Sequence, residues 1–336
     1  MRDLPLYQAL ALALSLATYS IEAKELIDTP SLVLEQYWTL SGVSNLQPSG
    51  LSFCGSHLVM ISDRHSHTIF SVPLNNTKSA QHTAPDKSST HAQIKTFRKI
   101  SPFTDLPDNI TWQVRLIDWA LRWTSKRFDW EGIHCNIDGS LYLASESLTA
   151  IAKIDPTGHP SWITQSLTSR VQRLGFATTL NTGFEGITAN SARILVALER
   201  EPRGLMSITK KTHPPSMNKL KLISHEEVVS PLNADFTGLW LETNAQGQPK
   251  IYTLERNYFR VCRRDYENWT VEVCWSYRAT EQSPEFRFEN DRYGLAEGIA
   301  RSGEHIYIVL DNNGEPRQQS GDKSPLLFKF KRPDNW

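Results

Sequence analysis

Eight carboxylates stand at recurring places in this chain, and their spacing is the first sign of chemistry. Asp63, Glu146, Glu199, Glu255 and Asp311 each close a short apolar run, while Glu131, Glu185 and Glu297 each precede a glycine. The two kinds alternate along the sequence. If the chain brings them to one place they cannot all stay ionised, because like charges raise each other's pKa. Relief can come from cations in the chain or from a hard divalent ion such as Ca2+, which prefers oxygen ligands. Arg64, Arg200 and Arg256 directly follow three of the acids. The expected division of labour is that the acids hold a metal which polarises a phosphoryl or acyl oxygen and activates water, while the three arginines bind the anionic group of a small substrate. Glu185 and Glu297, in the strongest copies, are the first catalytic candidates.

The elements that would position these groups follow from the repeat. Glu-Gly-Ile occurs at 131–133, 185–187 and 297–299, with weaker forms at 49–51 and 237–239. Each is followed by a branched apolar run of strand length without polar alternation, which suits a strand buried on both faces. Five copies of about 40–60 residues point to an all-β, five-bladed propeller. Third strands are expected at 68–72, 150–154, 205–208, 259–261 and 326–330, and outer strands at 94–100, 161–167, 219–223 and 270–275. The fifth copy has no room for an outer strand, so Leu32–Leu40 is expected to supply it and close the ring. In such blades the start of the first strand and the end of the second share one face, which would bring all eight acids to one mouth of the central channel. The long gap between Asp63 and Glu146 leaves space for a sixth blade. A repeated Glu-Gly also admits a purely structural reading, as a turn device in which glycine permits tight strand entry.

Residues 1–23 combine Arg2, the apolar run Ala9–Ala17 and small residues before Ala23, as in a secretory signal peptide. The remainder, 24–336, would be one propeller domain, periplasmic or secreted. Of four cysteines, Cys262 and Cys274 lie symmetrically about a hairpin turn and are placed to bond, whereas Cys54 and Cys135 are expected as buried thiols. The polar stretch 75–93 should be an exposed loop. Within the insertion 102–129, Trp112, Leu116, Trp119 and Trp123 recur at helical spacing beside basic residues. The expectation is a helix whose Trp stripe packs on the blades, with a lid beside the active face as the alternative. Net charge is zero with the signs interspersed, so neither nucleic acid nor stable membrane insertion after signal cleavage is expected, and the sequence does not fix an oligomeric state. No Gly-x-Ser-x-Gly elbow, Walker loop or His-Glu-x-x-His is present.

Taken together, SGLSF…ISDR, WEGI…LASE, GFEGI…VALER, YTLER and AEGIA…VLDNN, spanning about 45–313, resemble the family known as esterase-like activity of phytase, or phytase-like. The resemblance implies a bacterial exported propeller that hydrolyses phosphoesters or esters. Thr237, standing where a Glu-Gly glutamate would fall, departs from the pattern. A non-catalytic envelope-binding propeller and a metal-dependent lactonase are the alternatives.

Overall fold

A computed structural model describes residues 29–74, 90–121, 124, 127–177, 182–200, 202–210, 216–222, 235–244, 246–289 and 293–336. The signal-like segment, Arg122, Trp123, Lys126 and residues 75–89 of the expected loop lie outside the described residues. The strands form five sheets around one axis, a five-bladed β-propeller whose blades are antiparallel. Blade one is Pro48–Cys54, His57–Ser62, Thr68–Val72 and Lys95–Lys99. Blade two is Trp130–Cys135, Leu141–Ser145, Ala150–Ile154 and Pro160–Trp162, and blade three is Phe184–Ala189, Arg193–Leu198, Gly204–Thr209 and Ser216–Leu222. Blade four is Gly238–Thr243, Pro249–Glu255, Arg260–Asp265 and Val271–Ser276. Blade five joins Ala296–Ser302, His305–Leu310 and Leu326–Lys331 to Val33–Ser41, which pairs antiparallel with Leu326–Lys331 and closes the ring as expected. The second strands are buried almost throughout, as their apolar runs require.

Among the described residues no sixth blade fills the gap after Asp63. Part of it is the strand Thr90–Gln93, which pairs in parallel with Val33–Ser41 and covers the outer edge of blade five. These four residues were expected as loop. The closing strand has an unpaired edge, and pairing satisfies its backbone groups. The rest includes the helix Trp112–Leu121, whose Trp stripe is the reverse of the packed one expected. Trp112 and Trp119 are 67% and 65% exposed and Leu116 is also exposed, whereas Asp118 is buried and accepts a 2.8 Å bond from Arg127 Nε. The blade surface beneath is already covered by Phe103, Ile110 and Phe128, which pack with Trp130.

The axis explains the repeated glycines. A Cβ on Gly132 would lie 2.6 Å from Glu185 O, one on Gly186 2.7 Å from Leu239 N, and one on Gly298 2.8 Å from Leu51 N. Gly50 and Gly238 likewise face the first strand of the next blade, at 3.1 and 3.2 Å. The five glycines therefore form a collar in which each first strand abuts its neighbour, and a side chain there would push the ring apart. Only about 10 Å³ of space remains at this level, so the channel mouth above it has a floor.

Both disulfides reinforce this frame. Cys262 and Cys274 are bonded across the third and fourth strands of blade four, as the hairpin symmetry suggests. Cys54 and Cys135, expected as thiols, are also bonded. They end the first strands of blades one and two, where the collar brings neighbouring strands close enough for a bridge. Of the longer connections, 311–325 reaches the mouth through Asp311 and Asn313. A long connection on a rigid scaffold is a common place for binding residues.

Candidate active site at the channel mouth

Two local devices aim the acids at the axis. In blades one, two, three and five the pairing of first and second strands shifts register at the residue just before the collar glycine, which is Ser49, Glu131, Glu185 or Glu297. A bulge re-aims its residue, and here each of the four lines the mouth. The second device is position: Asp63, Glu146, Glu199 and Asp311 each directly follow the second-strand residue paired with the start of the bulge. The resulting cavity, of about 240 Å³, is lined by Asp63, Glu131, Glu146, Glu185, Glu199, Glu297 and Asp311, with Arg200 and Arg256.

Glu255 is not among them, and the expectation that it would line the mouth is corrected. In blade four Gly238 pairs with Leu254, so Glu255 falls at the place of Ser62, Ser145, Leu198 and Leu310, and Arg256 takes the place of the acid. One residue along a strand reverses the face. Glu255 consequently points into the blade, fully buried, where Arg203 (3.1 Å), Arg260 (2.8 Å) and Arg264 (2.7 Å) surround it. Burial alone would raise its pKa, but the three guanidiniums hold it below the ordinary value.

Arg256 also departs from its expected role. Its Nε donates to Asp235 (2.8 Å), one Nη to Glu199 (2.8 Å) and the other to Glu297. Despite burial, these carboxylates keep it firmly protonated. It is an internal counter-ion, not an open anion receptor. Arg200 is spent in part on Glu199. Arg64 lies at the rim, where its Nε donates to Gln47 and is 3.4 Å from Asp63. Two acids escaped the sequence reading. Asp129 lies beside Glu131 and Glu146, and Asp235, fully buried, also accepts a 2.9 Å bond from Asn257 N. Both stand three residues before a collar glycine, so aligning the copies on glycine reveals them.

Seven carboxyls against two guanidiniums would leave five uncompensated negative charges in a small cavity. The titration of the groups reflects this. Burial first, then neighbouring acids, raise Glu131 and Glu185 well above the carboxylate range. Burial also pushes Glu146 and Glu297 to about 8 and Asp311 to about 7, although Arg256 pulls Glu297 back. Oxygens of Asp129, Glu131 and Glu146 lie within 4.8 Å of one another, as do those of Glu146, Glu185 and Glu199. Among the described residues no histidine or cysteine lines the mouth, and this all-oxygen donor set fits a hard divalent cation and not a soft one.

Fold and site thus define a five-bladed propeller with an acidic, floored mouth. The chain belongs to the phytase-like family, described as esterase-like activity of phytase, which matches residues 40–259. The blade-five motif lies beyond that match. No curated protein matches the chain. Among solved structures it is similar to glutaminyl cyclase of Myxococcus xanthus (13% identity, TM-score 0.48, covering 90% of this chain and 98% of that one). It is also similar to the PQQ-bound aldose sugar dehydrogenase of Streptomyces coelicolor (11%, 0.45, 90% and 98%) and to virginiamycin B lyase of Staphylococcus aureus (11%, 0.39, 89% and 74%). At these values the likenesses have no bearing on chemistry.

Proposed function

We propose that the protein is an exported propeller hydrolase that cleaves a phosphoester or carboxylic ester at the acidic mouth, with a divalent cation, Ca2+ first, held by carboxylates of blades two and three. The observation that carries this reading is the convergence of seven carboxyls on one cavity with two arginines. Asp129, Glu131, Glu146 and Glu185 would hold the ion, because Arg256 already occupies the side of Glu199, Asp235 and Glu297. A bound cation would neutralise the acids, polarise the phosphoryl or acyl oxygen and ease ionisation of a water. Asp311, which burial raises to about 7, can pass a proton to the leaving oxygen. Export is supported by the signal-like N-terminus and two disulfides.

The test is a panel of phosphomonoesters, carboxylic esters and lactones, run with added Ca2+ and with EDTA. The reading predicts EDTA-sensitive turnover of an ester class, lost in Glu185→Gln. Turnover of lactones alone would move the assignment to a lactonase. A folded protein inert on every class would make it a binding module.

A further inference from the structure

The mouth does not end at the ring of acids. A second cavity, of about 730 Å³, runs outward over the junction of blades five and one, and Gln47 and Asn313 line both spaces. Its walls are the connection 42–47, the start of 312–325 and its end, held together by Asn312, whose Nδ2 donates to Glu315 O (2.6 Å) and Lys323 O (2.8 Å). The mouth alone is smaller than an ordinary ligand pocket, and only with this groove does the space reach that range.

Among the described residues the groove lacks the mouth's excess of acids, and its one lining acid is paired. Its charged lining residues are Arg64, Asp322 and Lys323. Asp322 is already neutralised by Arg317. Arg64 is oriented through Nε by Gln47, and among the described residues its Nη1 and Nη2 meet no acceptor. Of the three arginines that follow acids, it is the one whose fork remains open to a ligand. An arginine so held presents two donors in the plane of a carboxylate or phosphate.

We infer that this groove is the subsite for the part of the substrate remote from the scissile bond, and that Arg64 and Lys323 select an ester whose leaving group carries an anionic oxyacid. The inference rests on the hydrolase reading. The ester would lie over the acids, with its anionic end directed outward past Gln47 and Asn313. A neutral leaving group of the same size would leave the open donors of Arg64 without a partner.

Binding is measured by titration calorimetry with two probes, phenyl phosphate and 4-carboxyphenyl phosphate, on the full folded protein with and without Ca2+. The carboxylated probe should bind about tenfold more tightly, as one charge-assisted bond implies. That ratio should fall close to one in the double variant Arg64→Gln, Lys323→Gln, with Lys323→Gln alone intermediate. A bisphosphate probe, phenylene 1,4-bisphosphate, shows whether phosphate serves as well as carboxylate; either preference supports the subsite. Equal affinities in the unmodified protein, or a preference that survives the double variant, overturn it. A flat Ca2+ titration with the preference intact would remove the metal reading and leave the groove standing.

Discussion

At the scale of single residues, the sequence showed which acids recur but not which way each one points. Asp63, Glu131, Glu146, Glu185, Glu199, Glu297 and Asp311 all reach the mouth, whereas Glu255 turns inward because blade four carries its acid one residue early. The apolar run IYTLE looks like the others until it is counted from Gly238, and only pairing register makes that count. The consequence is testable. Glu255→Gln leaves Arg203, Arg260 and Arg264 buried around a neutral group, and breaking such a pairing typically costs about 3–5 kcal/mol. Urea denaturation should show a loss of that order, while cation affinity at the mouth stays within about twofold of the parent.

At the scale of elements, the Glu-Gly pairs serve both readings offered by the sequence. The glycine is structural, because it lets neighbouring first strands touch, and the glutamate is freed from the ladder by a bulge. Blades one and four keep the glycine and lack the acid, so the fold needs only the former. Gly132→Ala places a Cβ 2.6 Å from Glu185 O, and overpacking of this kind costs about 1–3 kcal/mol. Thermal denaturation should register that loss, and it should exceed the loss for Gly50→Ala, where the nearest atom is 3.1 Å away. The helix Trp112–Leu121 was legible as a helix from its periodicity. Which face it buries was not, because Phe103 and Phe128, which flank it in sequence, cover the blade before it does.

At the scale of the whole molecule, ring closure by the N-terminal strand could be read from the missing outer strand of the fifth copy. The bond between Cys54 and Cys135 could not, since it depends on how closely two blades meet at the axis. It spans 81 residues of sequence against 12 for Cys262–Cys274, so in the chain-entropy account it contributes about 4.5 kcal/mol and the other about 3. Cys54→Ala with Cys135→Ala should therefore lower stability more than the blade-four pair of substitutions, by urea denaturation. The acids also make stability depend on pH. Glu146 and Glu297 titrate at about 8 when folded against an ordinary 4.5, so between these values the folded state binds more protons than the unfolded one. Their contribution is fully present below 4.5 and is lost as pH rises towards 8. Cation-free protein should accordingly melt at a lower temperature at pH 8 than at pH 5, and added Ca2+ should narrow that difference by binding the ionised form. The central claim, that the mouth is a cation site, is tested most directly by calorimetric titration of Ca2+ into chelator-treated protein, beside Glu131→Gln and Glu185→Gln. The account predicts saturable binding in the parent, weakened about tenfold or more in each variant while both stay folded. Absence of binding in the folded parent, or equal affinity in all three proteins, would contradict it.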